Sequence, residues 1–141
     1  MHLNNRITRC TGFILNEKNE LLLLEHINIK NEKYWWFPGG GLENNEDFEN
    51  GLKREIKEEL NLDINITKSF IIQGKSPERV YKQHFVGVIK INTSADIRLE
   101  HNGKGRITQY KWFYIKELNN TNQIIRDKDI FPIVREGLKY I

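Results

Sequence analysis

The sequence has few of the residues that build disulfide-stabilised or membrane-embedded proteins. Cys10 is the one cysteine in 141 residues, so no internal disulfide can form. The longest aliphatic run, LLLL at 21–24, is far shorter than the roughly 20 residues that cross a bilayer. The N-terminal segment MHLNNRITRC also lacks the apolar core of a secretory signal. We therefore expect a cytoplasmic protein with no membrane partner, in which Cys10 is a buried strand residue.

The sequence also lacks a large excess of charge of either sign. The formal net charge is +3, and the basic residues are scattered, with no basic block and no alternation of basic and aromatic residues. This pattern argues against a nucleic-acid partner. A mildly positive surface suits a small anionic ligand without identifying it. With only three prolines and no repeat or linker, residues 1–141 are expected to form one domain.

Short segments rich in β-branched and aromatic residues alternate with turn-forming residues along the chain. Strands are expected at 6–15, 20–26, 34–37, 63–73, 81–91 and 106–115. Helices are expected at 47–60 and 129–140, with a short helical turn at 116–119. Strands separated by two helices predict an α/β fold, in which the helices cover a mixed sheet.

The predicted helix at 47–60 has clear end signals. Asp47 is a favourable N-cap residue, and Asn61 follows the last helical residue. At about 100° per residue, four apolar side chains share one face of this helix. They are Phe48, Leu52, Ile56 and Leu60. This stripe is expected to pack against the sheet.

Three glutamates, Glu55, Glu58 and Glu59, occupy an arc that overlaps the edge of this apolar stripe. Like charges one helical turn apart repel each other, and more strongly when water is partly excluded. Clustered carboxylate oxygens suit Mg²⁺ or Mn²⁺. On these residues alone, two interpretations stay open: a metal site, or a solvated acidic edge paired with Arg54 and nearby lysines.

Three glycines, Gly39 to Gly41, follow the aromatic segment at 34–37 and precede the helix. Glycine lets the backbone approach a ligand closely. Alone, this run indicates only a flexible turn. Beside an acidic helix, a loop that brings a backbone carbonyl to a metal becomes the better account.

The segment from Gly40 to Leu62 resembles the Nudix box, G-x5-E-x7-R-E-U-x-E-E-x-G-U, where U is aliphatic. Eight of the nine fixed positions match at every required spacing. The departure is Asn61, which stands where the family has glycine. Asparagine is the next-best residue for the left-handed conformation that ends a helix. The segment before the box and the strand around Trp112 also look like the family, so the resemblance covers nearly the whole chain.

This resemblance implies an α/β/α sandwich in which the box forms a loop–helix–loop on a mixed sheet. It also implies a Mg²⁺-dependent enzyme, with Mn²⁺ as an alternative ion, that hydrolyses a phosphoric anhydride. By position in the box, Glu58 and Glu59 resemble the principal metal ligands. Glu55 resembles a further ligand or the general base, and the carbonyl of Gly39 resembles the ligand that completes the inner shell.

Two other box positions resemble supporting residues. Arg54 resembles the arginine that orients the glutamates, and Glu46 resembles an acid of secondary importance. Many family members also carry an acid just before the tryptophan-containing strand, where this chain has none. Asp96 and Glu100 are the nearest candidates, Glu100 the better one, although an exposed strand-end acid explains it equally well. The general base is therefore either Glu55 or Glu100.

The expected partner is a small nucleotide. A MutT-like activity on (d)NTPs, including oxidised ones, is our main interpretation, and hydrolysis of ADP-ribose or a nucleotide sugar is the alternative. A third hypothesis is a non-catalytic, nucleotide-binding regulatory domain, but such domains generally lose box carboxylates and this chain keeps them. Family members are often dimers, so the resemblance allows a homodimer.

Strand aromatics could stack on a base, although core packing is the simpler interpretation for each. The candidates are Tyr34, Trp35, Tyr81, His84 and Phe85.

Overall fold

A computed structural model describes residues 7–43, 45–74, 81–99, 106–118 and 130–141. Within these ranges the strands are β1 (Thr8–Leu15), β2 (Leu21–Ile27), β3 (Lys33–Trp36), β4 (Gly39–Gly41), β5 (Ile66–Gln73), β6 (Gln83–Lys90) and β7 (Arg106–Phe113). The helices are α1 (Phe48–Leu60), α2 (Ile115–Leu118) and α3 (Ile130–Gly137), and a 3-10 turn (Leu138–Tyr140) follows α3. In these ranges, no helix is long and apolar enough to cross a membrane.

The strands form one mixed sheet in the order β3-β2-β1-β6-β5. At its centre, β1 and β6 run parallel from the pair Thr8 and Gln83 to the pair Leu15 and Lys90. The pairs β5–β6, β2–β3 and β2–β7 are antiparallel. Every residue of β1 is buried, as expected for a central strand covered on both faces. The predicted α/β class with a mixed sheet is confirmed.

Helices cover both faces of the sheet. Alternate residues of a strand point to opposite faces, and Cys10 and Ile14 of β1 belong to the hydrophobic cluster that includes α1. Phe13 belongs to the cluster on the other face, together with Ile133 and Val134 of α3. The predicted α/β/α sandwich is confirmed, and it places the box helix α1 against one face.

The end signals of α1 act as predicted. Asp47 accepts a hydrogen bond from the Asn50 amide at 2.7 Å, and Asn61 adopts the left-handed conformation with φ 57° and ψ 37°. Leu52, Ile56 and Leu60 are buried, while Phe48 is partly buried at the edge of the same cluster. Asparagine therefore replaces the usual glycine without distorting the end of the helix.

Several predicted boundaries shift by a few residues. The strand expected from residue 63 begins at Ile66, and the one expected at 81–91 spans Gln83–Lys90. The strand expected at 106–115 ends at Phe113, and α2 starts at Ile115. The terminal helix is described from Ile130, and its last turn is a 3-10 turn. Such ends depend on partner strands as well as on local sequence.

The triple glycine is a strand and not the expected loop. Gly39–Gly41 pairs antiparallel with Arg9–Thr11 at the N-terminal half of β1. Among the described residues, β1 and β2 pair only at Leu15 and Leu21, so the first half of β1 has an edge to which the glycine segment binds. Glycine has both a backbone N–H donor and a backbone carbonyl acceptor, so the segment can form strand hydrogen bonds with this edge of β1.

Candidate active site

Arg54 lies at the centre of the acidic cluster on α1. Its Nη1 atom is 3.0 Å from Glu55 Oε1 and 3.2 Å from each carboxylate oxygen of Glu58. The structure thus brings together three residues that the sequence predicted as catalytic. In the absence of another cation, the guanidinium offsets the repulsion between the two carboxylates.

Glu46 holds the same arginine from the side of the preceding loop. Its carboxylate accepts hydrogen bonds from Arg54 Nε at 2.7 Å and from Nη2 at 2.9 Å, a two-point contact. Arg54 Nη2 also donates to the carbonyl of Gly41 at 3.0 Å. The hydrogen bond from Arg54 lowers the pKa of Glu46, so this carboxylate stays ionised. The supporting role predicted for Glu46 has a physical basis in this contact.

The glycine strand approaches the acids of α1 directly. The Gly39 amide donates to Glu59 Oε1 at 2.7 Å. A Cβ atom on Gly40 would lie 2.6 Å from Cδ of Glu55. At Gly39, φ is +142° and a Cβ would lie 1.9 Å from the carbonyl oxygen of Cys10. Both positions therefore need glycine, one for conformation and close packing and the other for the approach of Glu55.

Burial raises the pKa of the Glu55 carboxyl; the charge of Arg54 opposes this rise, and that of Glu58 adds to it. A carboxylate with a raised pKa is a better proton acceptor near neutral pH than an exposed one.

Cys10 is buried below the site, and burial raises the pKa of its thiol to about 12. The thiol is therefore protonated at neutral pH, as expected for a structural cysteine.

The donor atoms of the cluster fit a hard divalent cation. Glu55, Glu58 and Glu59 supply only carboxylate oxygens, the ligands that Mg²⁺ and Mn²⁺ prefer. Within the described residues, no group of three acidic, histidine or cysteine side chains is already arranged around a common cation position. Arg54 contacts two of these carboxylates, and the Gly39 amide contacts the third. A ligand role for the Gly39 carbonyl stays a prediction.

Of the two alternative acids, only Asp96 lies within the described residues, and it is not part of this cluster. Asp96 forms an exposed ion pair with Arg98, with 2.9 Å between Oδ2 and Nη2. Glu100 lies outside the described residues, so the choice between Glu55 and Glu100 as general base stays open.

Most of the aromatic candidates lie in the core. Tyr34 and Trp35 belong to one hydrophobic cluster, and Phe85 to the other. His84 is fully buried, with Nδ1 3.0 Å from Thr11 Oγ1. The simpler interpretation, core packing, is confirmed for these four. Tyr81 is partly buried, and its hydroxyl would lie 2.6 Å from a Cβ on Gly41.

Arg9 was not among the residues predicted from the sequence. It lies in β1 beside the glycine strand and is 1% exposed. Its Nη2 atom donates to the carbonyl of Phe37 at 2.9 Å, and its Nη1 atom donates to Thr11 Oγ1 at 3.0 Å. The available signal was a single arginine inside a strand of small and apolar residues.

A family model described as NUDIX domain matches residues 6–133. An uncharacterised Nudix hydrolase from Nostoc sp. is 32% identical over 80 residues, which cover 57% of this chain and 46% of that protein. An 8-oxo-dGDP phosphatase from Danio rerio is 24% identical over 90% of this chain and 37% of its own length. The chain thus spans less than half the length of these two relatives.

A solved structure of an Ap4A hydrolase from C. elegans shares the fold. The TM-score is 0.73 and the sequence identity is 20%, with 94% of this chain and 96% of the other covered.

Proposed function

The chain belongs to the Nudix family, and from this membership we propose that it is a divalent-metal-dependent hydrolase of nucleoside diphosphate derivatives. We propose further that residues 1–141 act as one domain. The observation that supports the activity best is the cluster around Arg54, in which Glu55 and Glu58 are held together beside the glycine strand. A regulatory domain without activity has no need for a complete set of box carboxylates.

Glu58 and Glu59 are the proposed principal ligands of Mg²⁺ or Mn²⁺, and the carbonyl of Gly39 is a further ligand. Glu55 is either another ligand or the general base, and we favour the second role. When bound, the cation screens the phosphate charges and stabilises the charge that develops as the P–O bond breaks. Arg54 keeps Glu55 and Glu58 on the same side of α1. Because these side chains are already held in place, the entropic cost of ordering them on metal binding is lower.

Glu55 is the proposed general base. Its carboxylate accepts a proton from the attacking water, while the water oxygen forms a bond to phosphorus. The bridging P–O bond then breaks, and the bridging oxygen leaves with the second phosphorylated product. The position of Glu55 on the same side of α1 as Glu58, with both carboxylates in contact with Arg54, supports this assignment.

The proposed substrates are (d)NTP-like nucleotides, including oxidised ones, as for MutT-type enzymes. The named activity of the Danio rerio relative, on 8-oxo-dGDP, supports an oxidised purine nucleotide as the first candidate. ADP-ribose and nucleotide sugars are the alternative class. We also propose a cytoplasmic location and a homodimeric assembly, and size-exclusion chromatography with light scattering tests the latter.

A hydrolysis screen tests this function. The purified chain is incubated with Mg²⁺ and, separately, with dGTP, 8-oxo-dGTP, 8-oxo-dGDP, ADP-ribose, a nucleotide sugar and a dinucleoside polyphosphate. Glu58→Gln serves as the inactive control, because it keeps the side-chain size and removes a ligand charge. In ¹⁸O-labelled water the label should appear on a phosphate, since attack is at phosphorus. Equal turnover by Glu58→Gln, or full activity in excess chelator, would contradict the proposal.

A further inference from the structure

We infer that Arg9 is a positioning residue of the proposed active site: it fixes the turn from which the Gly39 amide binds Glu59. The inference rests on the proposed function for its consequence in catalysis. The geometry behind it lies in β1, in the Phe37–Gly39 turn, in α1 and in the neighbouring strand β6.

Arg9 is an unusual residue for its place in the sheet. It is 1% exposed, and its neighbours in β1 are all buried. Burying a guanidinium is costly unless its donors are hydrogen-bonded. Its Nη2 atom donates to the carbonyl of Phe37, and its Nη1 atom lies 3.0 Å from the position of a Cβ on Gly39. The side chain therefore donates one hydrogen bond to the backbone of the turn and one to Thr11 in β1, and it packs against Gly39.

The Phe37–Gly39 turn connects the contact with Arg9 to the contact with Glu59 in the acid cluster. Arg9 fixes the Phe37 carbonyl, and the next carbonyl, of Pro38, accepts a hydrogen bond from the Gly12 amide at 2.8 Å. The carbonyl and the amide of one trans peptide point in opposite directions. With the Pro38 carbonyl held on β1, the Gly39 amide must point away from β1, where it meets Glu59 Oε1 at 2.7 Å.

The orientation of Arg9 is itself fixed from a second strand. Thr11 Oγ1 accepts from Arg9 Nη1 at 3.0 Å and lies 3.0 Å from His84 Nδ1 on β6. The guanidinium thus has defined contacts to the turn and to β1, and β1 is linked at the same point to β6. A lysine at this position keeps the charge but cannot reach two acceptors with a planar fork.

The Gly39 amide proton gives a readout that is independent of activity. In ¹H–¹⁵N spectra of the whole chain it should resonate far downfield, because it binds a carboxylate at short distance. Glu59→Gln calibrates the upfield change that follows loss of this charge. Arg9→Met should move the signal in the same direction, and Arg9→Lys should move it part of the way. Phe70→Leu in β5 is the control, since it weakens the ring contact between Phe70 and Tyr140 two strands away from β1 and should leave the signal unmoved.

Kinetics provide the second readout. Arg9→Met and Arg9→Lys should lower kcat by roughly 10- to 100-fold, because small misplacements of active-site groups have effects of this size. The KM for the nucleotide should stay within about twofold if Arg9 acts on the turn and not on substrate binding. Phe70→Leu should lower the melting temperature without the change in kcat.

Two outcomes separate the inference from the proposed function. If the unmodified chain hydrolyses no diphosphate, the proposed function fails, and the Gly39 signal still decides whether Arg9 positions the turn. If the signal and kcat of Arg9→Lys both match those of the unmodified chain, the inference on Arg9 is overturned. The lysine variant decides the matter even if Arg9→Met does not fold.

Discussion

At the scale of single residues, Arg54 carries most of the electrostatic organisation of the site. It contacts Glu46, Glu55 and Glu58 at 2.7 to 3.2 Å, and Glu43 at 3.6 Å. Without the arginine, these carboxylates would repel one another. The arginine therefore permits an acidic cluster beside a hydrophobic core before any metal binds. The same contacts explain why Glu46 belongs to the motif although it lies eight residues before Arg54.

Replacing Glu55 by glutamine tests the proposed general base. Glutamine keeps the size of the side chain but cannot accept the proton from water at neutral pH. Under saturating Mg²⁺, Glu55→Gln should lower kcat by about 10²- to 10⁴-fold, the usual contribution of a general base. Steady-state kinetics of the purified variant give this value directly.

Two matched variants make the result specific. Glu49→Gln changes an exposed acid in the first turn of the same helix and should leave kcat unchanged. Glu100→Gln should also have little effect if Glu55 is the base. A strong loss in Glu100→Gln with an active Glu55→Gln would reverse the assignment, and two fully active variants would defeat both candidates.

The single cysteine offers a test of burial at one atom. The Cys10 thiol is fully buried, its pKa is raised to about 12, and its Sγ donates to the carbonyl of Phe48 at 3.5 Å. Iodoacetamide at pH 8 should therefore leave the folded protein unmodified, because the thiolate is the reactive form. In guanidinium chloride one label per chain should appear by mass spectrometry. Rapid labelling of the folded chain would show that this part of the core opens easily.

At the scale of elements, α1 shows which parts of the structure follow from local sequence. Asp47, the apolar stripe and Asn61 each act within about one helical turn, so their roles could be predicted from neighbouring residues alone. The placement of Glu55, Glu58 and Glu59 on one side of the helix could likewise be predicted from the local sequence. Their shared arc follows from helical geometry.

Other features depend on contacts between distant segments. The glycine strand β4 exists because the first half of β1 has an edge to fill, and nothing at Gly39–Gly41 indicates that partner. Arg9 is similar, since its acceptor at Phe37 lies 28 residues away in the chain. The contact between Glu59 and the Gly39 amide also requires the two segments to be placed first. Local rules do not provide such placements.

Asn61 gives a quantitative test of the end of α1. Its backbone has φ 57°, which β-branched residues strongly disfavour. Asn61→Val should lower the free energy of unfolding by about 1 to 2 kcal/mol, whereas Asn61→Gly, the usual residue of the box, should be nearly neutral. Asn65→Val is the control, because Asn65 is exposed and does not have a positive φ. Equal midpoints of urea unfolding for the two valine variants would contradict this account of the helix end.

At the scale of the whole molecule, acid stability should depend in part on Glu25, which links β2 to β7. Its carboxylate accepts hydrogen bonds from Thr108 Oγ1 at 2.6 Å and from Gln109 Nε2 at 3.1 Å. The bond from Thr108 is the main cause that lowers the pKa of Glu25. A lowered folded-state pKa contributes stability that is present above the unfolded value of about 4.5 and is lost as pH falls through the folded value.

Thermal unfolding as a function of pH measures this contribution. Near pH 7 Glu25→Gln should be less stable than the unmodified chain by about 1.5 to 3 kcal/mol, the value of hydrogen bonds to a charged group. The difference should shrink as the pH falls below about 4.5. Glu32→Gln, at an exposed acid, is the control and should show no such difference. A constant difference from pH 7 to pH 3 would exclude the ionised Glu25 as its source.

Divalent metal should stabilise the whole fold, because the proposed site forms only when α1 and the glycine strand are in place. Free Mg²⁺ at about 100 times its Kd should add about 2.7 kcal/mol to the free energy of unfolding. Melting curves with Mg²⁺ and with chelator measure the difference. Glu58→Gln should lose most of it, and Glu49→Gln should retain it. Identical melting temperatures with and without metal in the unmodified chain would argue against a metal site.

The parallel pairing of β1 with β6 limits how early this sheet can form during synthesis on the ribosome. Partner residues in the two strands, such as Thr8 and Gln83, are 75 positions apart. At a synthesis rate of about 5 to 20 residues per second, β1 waits roughly 4 to 15 s for its partner to be made. Meanwhile β2, the glycine strand and α1 are already available, but the sheet on which α1 packs lacks its centre. The apolar face of α1 is therefore exposed in the nascent chain during this interval and can associate with other molecules. We expect chaperones to bind the nascent chain mainly before β6 has been synthesised.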